Sequence, residues 1–143
     1  MITKTKIYDL GLIALRVGLG LLFVYASLDK IIHPGLFAKA ISNYRILPLP
    51  LLHATAIILP WLEFVGGLAL LSGRYPRAAN ILIGSMTLVF TLAILLAISR
   101  GLDFNCGCFN LESANDNLGS FKVLQNMGLL FISGILEHSY RKT

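Results

Sequence analysis

Four long apolar stretches, each set off from the next by turn-forming or polar residues, dominate what this chain can fold into. They run over approximately residues 10–32, 52–71, 78–99 and 121–137. A helix needs about 20 mostly apolar residues to cross the hydrocarbon core of a bilayer. The fourth stretch is the shortest and needs Phe121 and Tyr140 at its ends to fill the span. The breaks are His33-Pro34-Gly35, Ser72-Gly73-Arg74-Tyr75-Pro76 and the polar segment 100–120, all rich in turn chemistry. Apolar residues come in blocks rather than at a period of two or 3.6. Hydrophobic residues make up 56% of the chain and charged ones 13%, which leaves no room for a separate soluble domain. The expected fold is all-α: a single integral membrane domain over residues 1–143, built as a four-helix antiparallel bundle. Segment 100–120 then forms an extracytoplasmic loop.

A formal charge of +5 raises the question of nucleic acid. The basic residues flank the apolar runs instead of forming a stripe with interleaved aromatics, so no nucleic-acid partner is expected. They report on topology. If all four stretches cross, Lys4, Lys6, Arg74, Arg77, Arg141 and Lys142 share one side, with little acid beyond Asp9 and Glu137. Lys30, Lys39, Arg45, Arg100 and Lys122 share the other with Asp29, Asp103, Glu112 and Asp116. The first side has the denser basic segments, which places both termini in the cytoplasm. Lys4, Lys6 and the Val24-Tyr25-Ala26 tripeptide also resemble a signal peptide with its cleavage site. Arg16 interrupts that apolar stretch and three more follow, so it is read as a retained first helix.

Ionisable residues within apolar runs face partners or cavities, because burying them in lipid is costly. Arg16 lies about 9 Å from the cytoplasmic start of the first helix, and Glu63 about 12 Å from the same face on the second. This depth predicts a structural intramembrane pair, Arg16–Glu63; the alternative is Arg16 snorkelling to headgroups beside a protonated Glu63. Asp29 and Lys30 end the first helix on the outer side, about 100° apart around the axis, so at most one faces inward squarely. Asn126, near the outer end of the fourth helix, is a supporting polar residue that either joins this cluster or links two helices. Pro60 is expected to kink the second helix, and the Gly18, Gly20, Gly66 and Gly67 positions read as close helix packing. His33, His53 and His138 sit at helix boundaries, and with two cysteines they make no zinc or haem spacing; no metal is expected.

Covalent chemistry is concentrated in Cys106-Gly107-Cys108, the only two cysteines. A pair this close, with a glycine between, can cycle between dithiol and a strained disulfide, and strain makes such a bond an exchange partner. A structural disulfide and two buried thiols are the other readings. Lys30 would lend positive potential to a thiolate there and raise its reactivity. With no second pair to pass electrons on, turnover needs an external partner: a thioredoxin-like protein, the cysteines of a client, or a quinone.

Arg16-x-Gly18, Leu28-Asp29-Lys30, Ile41-x-x-Tyr44-x-x-Leu47-Pro48, Leu59-Pro60-x-x-Glu63-x-x-Gly66-Gly67 and Asn105-Cys106-Gly107-Cys108-Phe109 together resemble the MauE/DoxX family of small four-helix membrane proteins. The Cys-Gly-Cys-Phe element favours the MauE, methylamine utilisation branch. Two positions depart from the pattern: Ser27 replaces a glycine, and Gln125-Asn126 replaces a basic pair for which Lys122 could substitute. The resemblance implies a multi-pass protein of the bacterial inner membrane, tied to thiol redox chemistry and to maturation of a disulfide-rich exported protein alongside a thioredoxin-like partner.

Three functions follow as expectations. One is a membrane thiol–disulfide redox protein with Cys106, Cys108 and Lys30 as its catalytic set, serving a periplasmic thioredoxin-like protein or cysteine-rich client. Another is a non-enzymatic membrane scaffold for a maturation partner. The last is a quinone-linked oxidoreductase subunit, with the ring bound near Lys30, Trp61 and Glu63.

Overall fold

The computed structural model describes residues 2–101 and 119–142. Among them the structure is all-α, with α1 (Ile2–Ile32), α2 (Pro34–Ser42), α3 (Leu49–Ser72), α4 (Pro76–Ser99) and α5 (Gly119–Lys142). Helices α1, α3 and α4 are long and apolar enough to cross a membrane. At 24 residues α5 matches α3 and α4 in length, but it is more polar. Cys106 and Cys108 lie outside the described residues.

Proline and glycine punctuate the helices as their backbone preferences require. Pro34 and Pro76 open α2 and α4 at a position where a missing N–H goes unused. Gly73 ends α3 in the left-handed conformation (φ 65°), donating its N–H to the Ala69 carbonyl. The assigned helix of α3 continues through Pro60, whose missing N–H leaves the Ala56 carbonyl without its usual donor.

Helix α1 packs on α3, α3 on α4, α4 on α5, and α5 on α1. Neighbours are antiparallel: Arg16 lies by Gly73 and Lys30 by Glu63, while Arg77 lies by Glu137. Close approach of α1 to α3 is made at Gly20 and Gly67. A Cβ on Gly67 would come within 2.9 Å of the Gly20 carbonyl oxygen and 2.8 Å of Val24 Cγ2. Gly66 also packs tightly, against Ile83, whereas Gly18 has open space around it. Leu19, Phe23, Leu70, Ile83, Leu129 and Leu136 fill the centre.

The sequence reading ended the first crossing at His33-Pro34-Gly35. Instead the chain breaks there and resumes as helix. His33 takes a non-helical conformation, as a residue before proline prefers, and α2 follows at once. Helix α2 lies along α3 through Phe37, Ile41, Leu52 and Ala56. Tyr44, just beyond it, packs near the end of α4 against Ile94 and Ala97. Lys30, by contrast, lies over Phe90, about 10 Å further down α4 from Ala97. The break therefore sits inside the assembly rather than at its end.

Candidate functional site

All five helices converge on one buried ion pair. Lys30 of α1 donates from Nζ to both carboxylate oxygens of Glu63 on α3, at 3.0 and 2.7 Å. The two side chains are 4% and 3% exposed, so both charges are almost wholly out of solvent. The ammonium also lies 5.2 Å from the ring centre of Phe37 on α2 and 5.6 Å from that of Phe90 on α4. These distances suit attraction between a cation and an aromatic face, which is strengthened by desolvation. A cavity of about 20 Å³ adjoins the pair, bordered by Thr87, Phe90 and, from α5, Asn126. That volume suits about one water molecule. Ser27, one turn before Lys30, is fully buried and donates its hydroxyl to the Val24 carbonyl at 2.7 Å. It fills the place where the family resemblance leads one to expect glycine.

This arrangement exchanges the roles of two charges. The expected Arg16–Glu63 pair is not formed; Glu63 is taken by Lys30, and the Arg16 guanidinium lies against Gly73 and beside Tyr140 at the opposite end. The cause is helix register. The Gly20–Gly67 crossing sets Arg16 level with the α3–α4 turn, and α1 begins at Ile2 rather than near Leu10. Depth counted from Leu10 therefore misplaced Arg16. Arg16 occupies the carbonyl end of α3, where a cation is favoured.

Asp29 and Lys30 do point apart. Lys30 faces inward, while Asp29 is 30% exposed with the His33 ring 3.4 Å away, one turn on. Asn126 is buried and shares the small cavity with Lys30 and Glu63. Trp61 does not join them. It sits two residues from Glu63, about 200° around the helix, and is 53% exposed with its ring edge-to-face against Phe64. The expected quinone position near Lys30, Trp61 and Glu63 thus has no shared space, and a cavity of about 20 Å³ is too small for a ring. No group of metal-ligating side chains occurs among the described residues.

Phe37, Phe90 and Thr87 were not candidates from sequence, since an aromatic or threonine in an apolar run looks like any other core residue. A second polar contact was also missed. Asn80 of α4 donates to the Ser133 carbonyl on α5 at 3.0 Å, and the Ser133 hydroxyl donates to Asn80 Oδ1 at 3.0 Å. Near the end of the same interface Glu137 accepts from Arg77 at 3.1 Å, with Arg141 3.5 Å away.

Comparison with protein families matches residues 8–137 to the family described as Methylamine utilisation protein MauE. Among curated proteins, the chain is 34% identical over 117 residues to "Methylamine utilization protein MauE" of Paracoccus denitrificans, covering 81% of this chain and 62% of that protein. It is 29% identical to the protein of that name from Methylophilus methylotrophus, over 79% of this chain and 60% of the relative. With the Methylorubrum extorquens protein of that name it shares 33% identity, over 80% of this chain and 61% of the relative. The chain thus spans less than two thirds of the length of these relatives. No solved structure matches it. Three membrane-length apolar helices and a match that runs from the first third of α1 to the last turns of α5 lead to one conclusion: this is a membrane protein belonging to the MauE family.

Proposed function

We propose that the chain is a thiol–disulfide redox protein of the bacterial inner membrane, acting with a thioredoxin-like partner in maturation of an exported, cysteine-rich protein of methylamine utilisation. Helices α1, α3, α4 and α5 all cross in this reading, as a transmembrane four-helix bundle. For α5 the support is its length and its sidedness: Asn126 and Ser133 turn inward while Leu124, Met127 and Phe131 are exposed.

The observation that carries the reading is the antiparallel packing. It puts the end of α4 and the start of α5 at the α2–α3 end, so the segment with both cysteines is tethered opposite the termini. Charge supports an extracytoplasmic position for that end. With Arg16 level with the α3–α4 turn, the terminal side gains a seventh basic residue. With Lys30 buried, the other side keeps four. Lys30, held by Glu63, then supports the chemistry as a positioning residue.

The test replaces Cys106 and Cys108 by serine in the full chain. Trapping by alkylation is expected to capture a mixed disulfide with a thioredoxin-like protein or client from the parent chain and none from the variant, whose client stays incompletely oxidised. Unchanged client maturation in the variant refutes the redox reading and leaves the scaffold role.

A further inference from the structure

A second, larger cavity lies on the far side of Phe90 from the ion pair. Its volume is about 340 Å³, and it opens between α4 and the hook formed by α2, the following turn and α3. Ile41, Leu47, Leu59, Met86, Val89 and Ala93 make most of its wall. Thr55 and Ser85 border it, and both hydroxyls are already committed to their own helices: Thr55 donates to Leu51 O at 2.7 Å and Ser85 to Leu82 O at 2.8 Å. A polar ligand would find no free partner on these two residues, so the cavity suits hydrocarbon. It is more than twice the roughly 150 Å³ that accommodates a benzene molecule in an engineered apolar site.

The cavity's place in the fold selects the occupant. Its open side faces outward between two membrane-length helices, where acyl chains are the surrounding medium. Tyr44 and Ile46 belong to its wall at the end of the assembly, and Arg45 between them is exposed. A cation there complements a phosphate at headgroup level. We propose that this cavity is a phospholipid site, holding one acyl chain between α2, α3 and α4 with the phosphate at Arg45. The chain would pack on Phe90, the ring that covers Lys30, so occupancy of the site would hold that ring over the ion pair.

The inference rests on α3 and α4 lying in a membrane, and the experiment separates the two. The full chain is reconstituted in vesicles of phosphatidylethanolamine and phosphatidylglycerol bearing a diazirine on one acyl chain, irradiated, and mapped by mass spectrometry. Label is expected several-fold more densely at Leu59, Met86, Val89 and Ala93 than at outward residues such as Val65 and Leu68. Ala93→Phe, which fills the cavity, should remove the excess; Val89→Phe, at the exposed rim, serves if the first variant fails to fold. Arg45→Gln should weaken it, and an unchanged excess there overturns the headgroup assignment. Even labelling of all exposed faces, or an excess that persists when the cavity is filled, overturns the site. Absence of label from both helices overturns the membrane reading itself.

Discussion

Removing Lys30 leaves a carboxylate in a place built for a pair, and the size of the effect follows from the geometry. Both partners are at most 4% exposed and joined by two hydrogen bonds of 3.0 and 2.7 Å. A charge left alone there is neutralised rather than hydrated. At 1.36 kcal/mol per pH unit, neutralising an ordinary carboxylate of pKa about 4.3 at pH 7 costs about 3.7 kcal/mol, and an ammonium of pKa about 10.4 about 4.6 kcal/mol. Lys30→Met should therefore destabilise the protein by about 4 kcal/mol, and Glu63→Leu by about 5 kcal/mol, within the range for broken buried pairs. The double variant removes both charges and should recover most of that loss. The single variant also carries a signature in pH. Glu63 without Lys30 is folded as the neutral acid, so the penalty is smallest near the unfolded pKa and grows as pH rises. Between pH 5 and pH 7 it should increase by about 2.7 kcal/mol. Unfolding in mixed micelles, followed by far-UV circular dichroism at both pH values, measures all three variants. A double variant no more stable than the singles, or a Lys30→Met penalty independent of pH, refutes the reasoning.

Gly67→Ala should lower stability by about 1–3 kcal/mol, because the added methyl meets the Gly20 carbonyl and Val24. Gly18→Ala, with open space around it, should stay within about 0.5 kcal/mol in the same assay. Asn80→Leu breaks the contacts with Ser133 and should cost about 1–2 kcal/mol, at the upper end for interhelical hydrogen bonds in membranes. Trp61, the only tryptophan, is exposed midway along α3. Its fluorescence in vesicles should be blue-shifted and quenched by brominated acyl chains; emission like that of an aqueous indole contradicts a membrane position for α3.

Much of this architecture was legible because lipid makes length and apolarity decisive. The positions of α3 and α4 agree with the expected stretches to within about three residues at each end. Asn126 stood out because an amide in an apolar run needs a partner or a cavity, but the run alone left open whether it joins a cluster or links two helices. What the sequence hid was register between helices. Two glycines meeting at Gly20 and Gly67 set α1 along α3 so that Lys30 rather than Arg16 comes level with Glu63, and no count along one helix contains that offset. Pro34 hid the second feature. The same residue that signals a turn is also favoured at the first position of a helix, and only packing of Phe37 and Ile41 on α3 decides between them.

The convergence of five helices on Lys30 and Glu63 bears on how the chain is assembled. Helices enter a membrane in order of synthesis, and α1 can meet α3 early through their glycine faces. The ammonium and carboxylate stay incompletely enclosed at that stage, because Phe90 arrives with α4 and Asn126 only with α5. Without its last helix the pair would lack the Asn126 wall of the space beside it. Full enclosure of one ion pair thus draws on side chains from all five described helices.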